Sequence, residues 1–233
     1  MLTSFPDSLI PAHDAARLRT LHQFDIVNTT PELVFDNYTA WAAQLFNAPI
    51  SLISLVDEDY VWFKSRTGGP DIDKLVRNES MCSAAILTDE RVVISDYKPE
   101  SCSLIKPDVA QAIGLNFYLG AALIAENGAR LGMLAIIGRE YRVPSPAEIE
   151  VLTRLSELVT QTIELRYHYL AADQAAEWDD AQQELVHALD ENATLARYLI
   201  TRSQRVDLTD PEVAQLIGRR LDSVAKVLRR RLG

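Results

Sequence analysis

The side chains able to do chemistry are few and scattered. The two cysteines, Cys82 and Cys102, stand in "SMCSAAIL" and "KPESCSLIKPD". A thiol becomes a redox sensor or nucleophile when it is exposed and a nearby cation lowers its pKa. The nearest basic residue to Cys82 in sequence is Arg77, and the apolar run around the thiol suits a small buried hydrophobe instead. Cys102 lies in a polar loop, the more exposed setting. Asp57, Glu58 and Asp59 place three carboxylates side by side. Adjacent side chains in a turn point different ways, and the sequence shows no further acid or histidine partner for them. His13, His22, His168 and His187 are dispersed. Gly-rich phosphate loops, His-Glu-x-x-His and Gly-x-Ser-x-Gly elements do not occur. We therefore assign no catalytic residue and no metal ligand, and expect no cofactor. A thiol-based redox enzyme or sensor using Cys82 or Cys102 is the enzymatic alternative.

A different chemistry is suggested near the end of the chain. Arg219, Arg220, Lys226, Arg229, Arg230 and Arg231 stand with a single acid, Asp222, among them. Such residues on a recognition helix contact phosphates. Thr209 with Glu212 has capping-box spacing, Gly218 can stop a first helix, and Asp222 can start a second. This predicts a helix-turn-helix-like element, with DNA as the alternative partner. Three features oppose it: Arg219 stands where an apolar turn residue is usual, the net charge is -10, and seven acids lie between Asp173 and Glu191. The competing reading is a pair of amphipathic helices that dock through Leu216, Leu221, Val224, Val227 and Leu228.

The rest of the chain has to position these groups. With 233 residues, 48% apolar and 24% charged, it is long enough for one good core and a small extra module. No apolar run approaches the ~20 residues of a membrane span, and the N-terminus lacks a signal-peptide pattern. A reducing compartment and a cytoplasmic location are expected.

Residues 1–13, with Pro6 and Pro11, read as loosely ordered. Asp14 to Phe24 spaces Leu18, Leu21 and Phe24 for a short helix. "NTTPELVFDNYTAWAAQLF" predicts a second, with Thr30 as N-cap, Pro31 first and Glu32 in the first turn. Ile50 to Val56, an acidic turn, and Tyr60 to Phe63 read as strand, turn, strand. A short helix from Ser83 to Leu87, a strand from Arg91 to Asp96 and a helix from Lys106 to Gly114 follow. Phe117 to Ala125 and Leu131 to Ile137 form a hairpin around Asn127-Gly128. Ser145, Pro146 and Glu148 open a long helix. With no Pro or Gly between Pro146 and Pro211, it is expected to run to about Arg202. The acid-rich stretch from Asp173 to Glu191 reads as a solvated face or a weaker segment. Strands and helices in this order imply an α+β fold, a largely antiparallel sheet with helices packed on it.

Four segments, "RL..L..FDI..T.PE..FD", "APISLISLVDED..WFKSR.G", "FYLGAAL" and "G..LG.L.II", together make the chain resemble the GAF-domain family of bacterial small-molecule sensors, over about Ala15 to Arg166. The resemblance implies a GAF fold: a central antiparallel sheet with helices on one face, a ligand pocket on the other, and here a C-terminal helical extension. Expected boundaries are a loose N-terminus at 1–13, a sensor domain at 14–168, a helical linker at 169–205 and a small basic helical element at 206–233. The implied function is non-enzymatic sensing of an unknown small molecule or partner, relayed through the C-terminal helices.

The expected pocket residues are Trp62, Phe63, Cys82, Ile86, Phe117, Tyr118 and Leu134. Strand alternation lets only one of Trp62 and Phe63 face a given side, and plain core packing competes for both. Specialised members of the family are poorly matched. Ala84 or Ala85 stands where a His is usual, Cys82 is followed by Ser83, and "AIIGRE" lacks the Cys-hydrophobic-Asp element. Haem, bilin and sulfoxide-reductase chemistry each lose a required residue, and the cyclic-nucleotide signature is not found. A homodimer is expected through the helix after Pro146, whose stripe is Ile149, Leu152, Leu155, Val159 and Ile163, together with the helix from Thr30. A signalling protein is a further expected partner.

Overall fold

The computed structural model describes residues 9–88, 90, 92–95, 114–203 and 205–233. Two helices, α1 (Asp14–Gln23) and α2 (Leu33–Leu45), precede strands β1 (Ile50–Val56) and β2 (Tyr60–Thr67). A short strand β3 (Lys74–Val76), a 3₁₀ turn (Arg77–Glu79) and helix α3 (Met81–Ala85) follow. Then come β4 (Val92–Ser95), β5 (Phe117–Ile124) and β6 (Arg130–Gly138). The chain closes with α4 (Pro146–Ala171), α5 (Ala175–Ser203) and α6 (Pro211–Leu232). The strands form one sheet in the order β3-β2-β1-β6-β5-β4. Every neighbouring pair is antiparallel. The α+β fold and its antiparallel sheet are thus as expected. The expected helix from Lys106 lies outside the described residues, apart from Gly114, as do Cys102 and residues 1–8.

The sheet buries both faces. Ile53, Leu55, Trp62, Leu119, Leu134 and Ile136 belong to one apolar cluster with α2 and α4. Their alternates Leu52, Val61, Tyr118, Met133, Ala135 and Ile137 belong to a second, with α3. Two glycines permit close approach. A Cβ on Gly132 would stand 1.8 Å from the Ser54 carbonyl oxygen, so β6 lies against β1 only with glycine there. A Cβ on Gly120 would meet the Tyr118 hydroxyl at 2.5 Å, because that ring folds back over its own strand.

Several boundaries differ from expectation. Helix α2 begins at Leu33, and Glu32 stands at the N-cap without a side-chain capping bond; its carboxylate is drawn to stronger, cationic donors described below. Helix α3 begins at Met81 rather than Ser83, because the Ser80 hydroxyl accepts from the Cys82 N–H at 3.3 Å and caps it. The edge strand β3 was not expected.

The long helix from Pro146 does not continue to Arg202. Its start is as read: the Ser145 hydroxyl accepts from Glu148 N–H at 3.2 Å, and the Glu148 carboxylate accepts from Ser145 N–H at 2.7 Å. It stops at Ala171, where Asp173 adopts φ 58°. The stripe Leu152, Leu155, Val159 and Ile163 is fully buried in the core shared with the sheet. Helix α5 folds back onto α2 and buries Trp178, Ala181, Leu185 and Leu189. Unbroken, residues 146–203 would form a rod of roughly 85 Å at 1.5 Å per residue. Reversal exchanges that exposure for burial, which explains a break without proline or glycine. The acidic residues lie mainly on the outward face of this packed helix.

The helix-turn-helix geometry is also corrected. Helix α6 is uninterrupted from Pro211 to Leu232. Asp210, not Thr209, caps it, accepting from the Glu212 and Val213 N–H groups at 2.8 and 3.4 Å. Gly218 lies inside the helix at a cost of about 1 kcal/mol relative to Ala. The buried stripe Ile217, Leu221, Val224 and Leu228 crosses it at helical spacing and outweighs that cost. The bare Gly218 backbone admits Arg154 of α4, which donates to the Gly218 carbonyl at 3.4 Å and pairs with Asp222 at 2.5 Å. The end of α6 borders a cleft with Thr20, Gln23 and Phe24, so Leu232 and Gly233 lie beside α1.

Candidate functional site

Alternation on β2 begins the site. Trp62 pairs with Leu55 and faces the helices; Phe63 pairs with Ser54 and faces the other way. The register then slips, Ile53 pairing with Ser65, which leaves Lys64 as an extra residue. This β-bulge turns both Lys64 and Ser65 toward the helices and returns Arg66 to the Phe63 side.

On the Phe63 side the sheet, α3 and the Gly68-Gly69-Pro70 turn enclose a cavity of about 70 Å³. Ile50, Leu52, Phe63, Met81, Leu115 and Ile137 make it apolar. Cys82 and Tyr118 supply polar atoms, and Arg66 and Glu79 are its charged lining residues. A water needs roughly 10–15 Å³, so the cavity has room for a small apolar group.

The Tyr118 hydroxyl donates to the Cys82 sulfur at 3.5 Å. Burial pushes the Cys82 thiol above its ordinary pKa, against the opposing effect of the Ser54, Tyr118 and Ser80 hydroxyls. Burial likewise raises Tyr118, and the neighbouring thiol adds to the shift. Cys82 is therefore a protonated, inert thiol at neutral pH, the opposite of an activated nucleophile.

Of the seven expected pocket residues, Phe63, Cys82 and Tyr118 meet at this cavity. Trp62, Phe117 and Leu134 lie in the helix-side cluster, one residue out of phase with the cavity. Ile86 packs in the cavity-side cluster without lining the cavity. Sequence reasoning missed Ile50, Leu52, Arg66 and Ile137. Pairing β1 against Phe63 and continuing the alternation is the signal that would have found Ile50 and Leu52.

Directly behind Phe63 is a polar joint. The Lys64 ammonium is 2.5 Å from the Glu32 carboxylate and donates to Thr29 Oγ1 and the Thr30 carbonyl at 2.9 and 2.8 Å. The Arg166 Nε of α4 donates to both Glu32 oxygens, at 3.0 and 2.9 Å, and the Trp178 indole of α5 donates to Oε1 at 3.0 Å. The Phe35 and Trp62 rings flank the ammonium at 5.1 and 5.7 Å. Desolvation lowers the Lys64 pKa, with Glu32 opposing the shift. One carboxylate thus ties the cavity strand to two successive helices.

The basic residues do not form one free surface. Arg230 and Arg231 pair with Glu184 of α5, while Arg219, Lys226 and Arg229 are exposed and Arg220 is half-buried. The expectation that the acidic turn lacks a histidine partner is corrected: the fold brings His22 Nε2 to 2.7 Å from the Asp57 carboxylate. Among the described residues no group of three or more His, Cys, Asp or Glu side chains is placed to hold a metal, and no helix is long and apolar enough to cross a membrane.

The GAF domain family model matches residues 30–163. A cyclic di-GMP phosphodiesterase of Pseudomonas aeruginosa is 30% identical over 154 residues, covering 66% of this chain. The chain spans 26% of that relative's length. Similar solved structures include the PixJ GAF domain of Thermosynechococcus elongatus in its blue-light absorbing form, at 15% identity and TM-score 0.49, covering 71% of this chain and 96% of that one. Another is the GAF domain of an Acinetobacter phosphoenolpyruvate-protein phosphotransferase, at 17% identity and TM-score 0.46, with 68% and 97% covered.

Proposed function

The chain belongs to the GAF domain family, and on that premise we propose that it is a non-enzymatic, cytoplasmic signal-sensing domain. It binds a small, largely apolar ligand in the cavity between the sheet, α3 and the glycine turn, and relays occupancy to its C-terminal helices. The observation that carries this reading is the apolar cavity itself, where Phe63, Cys82 and Tyr118 converge. Trp62, Phe117 and Leu134 support the cavity from behind the sheet, and Ile86 supports it from the α3 side. The relay is the Glu32 joint: Lys64 adjoins Phe63 in sequence and shares its carboxylate with Arg166 and Trp178. The protonated thiol of Cys82 favours binding over redox turnover.

Native mass spectrometry of freshly purified protein, paired with a thermal-shift screen of small apolar compounds, tests the assignment. A bound mass, or a stabilising compound whose effect Phe63→Ala removes, supports it. Turnover of a peroxide or sulfoxide that disappears when both cysteines become serine would replace it with the enzymatic reading.

A further inference from the structure

We propose that the cavity selects a short-chain monocarboxylate, an acid whose apolar tail enters between Ile50, Leu52 and Phe63 and whose carboxylate is held by Arg66. This rests on the cavity being a ligand site and adds the class of ligand. Two observations point the same way. The cavity, about 70 Å³ with apolar walls, suits an apolar tail. The bulge at Lys64 turns Arg66 back to the cavity side, where it lines an apolar space. A guanidinium offers two parallel N–H donors that match a carboxylate, and few polar groups in an apolar pocket fix a ligand's orientation.

The current partner of Arg66 is also informative. Arg66 Nη2 bonds the Asp71 carboxylate, whose side chain is 96% exposed. An ion pair in that setting contributes little to stability, so exchanging Asp71 for a ligand carboxylate at the same guanidinium costs little. Arg66 is thus held ready by a replaceable carboxylate. Glu79, the other charged lining residue, has a partner of its own within the fold. The Tyr118 hydroxyl is committed to the Cys82 sulfur. Among the described residues lining the cavity, Arg66 is the cationic recognition group.

Hexanoate and hexan-1-ol, which share a tail and differ in charge, are the probes, titrated against the full chain by ligand-observed NMR. Hexanoate is expected to bind about tenfold tighter than the alcohol. Arg66→Gln should bring hexanoate to the alcohol's affinity and leave the alcohol unchanged. Asp71→Asn, which removes the competing carboxylate, should tighten hexanoate a few-fold. Equal binding of the two probes, or a preference that survives Arg66→Gln, overturns this inference and leaves the cavity as a ligand site. Binding of neither probe overturns it as well, and bears on the sensing function only if the thermal-shift screen is also blank.

Discussion

Lys64 and Glu32 form an ion pair 2.5 Å long whose lysine side chain is wholly buried and whose glutamate is 12% exposed. Replacing one partner strands the other. Glu32→Gln should therefore cost about 3–5 kcal/mol, because Lys64 and Arg166 would both lose their carboxylate in the interior. Urea unfolding, followed by the midpoint at unchanged slope, measures it. A loss under about 1 kcal/mol would show that the joint is slack and cannot carry a signal from β2 to α4 and α5.

Cys82 should resist alkylation. In a Cys102→Ser background, iodoacetamide at pH 7.5 is expected to modify Cys82 at least ~10-fold more slowly than a free peptide thiol, with full reaction restored by denaturant. Rapid labelling of the native chain would contradict the raised pKa.

The same shift has a pH consequence. The folded thiol holds its proton to higher pH than the unfolded one, so between the two pKa values the native state binds more protons and stability falls as pH rises. The contribution is complete below the unfolded value, about 8.5, and is lost above it. Tyr118, also raised by burial, acts in the same sense from about pH 10. Cys82→Ala should flatten the decline in unfolding free energy between about pH 8.5 and 10, while the stability of the parent chain should fall there.

Gly132→Ala forces a methyl group against the Ser54 carbonyl and the Leu55 Cα, both backbone atoms. The strands must separate, and a loss of about 3 kcal/mol or more is expected in thermal unfolding. Gly120→Ala presses first on the Tyr118 side chain. It should destabilise less, but it should displace that ring and weaken ligand binding at the cavity. Equal losses from the two changes would argue against this contrast between backbone and side chain.

The C-terminal helix separates docking from nucleic-acid binding. Leu221→Asp buries an unpaired charge in the stripe and should release α6, seen as lost helix protection in hydrogen exchange. Neutralising Arg229, Arg230 and Arg231 together should have a smaller effect, limited to the Glu184 pairs. A gel-shift titration at low salt should show no DNA binding at micromolar protein. Binding that weakens steeply with salt would restore the nucleic-acid reading.

What the sequence disclosed was what neighbours in sequence decide. The Ser145 capping box and the Asn127-Gly128 hairpin are local signals, and both are found in place. The edge strand Lys74–Val76 was missed because three residues have no readable period; pairing with Tyr60, Val61 and Trp62 creates it. Gly218 looked like a stop because its cost is local, whereas the stripe that overrides it spans the helix. The break at Asp173 leaves no mark because its cause is α2, far away in sequence. Phe63 and Tyr118 were legible as bulky residues of the motifs, and Cys82 as a small apolar one. Arg66 was not, since its orientation depends on a bulge that only the register with β1 reveals.

Because α6 runs unbroken to the cleft beside α1, an optical ruler can be laid across the molecule. A donor dye at Gln23 and an acceptor at Gly233, both exposed, would sit within efficient energy-transfer range while the helix is docked. Leu221→Asp would set the signal of the released helix. Ligand titration would then show whether occupancy of a cavity on the opposite side of the sheet leaves α6 seated or drives it off, converting a buried packing change into a colour.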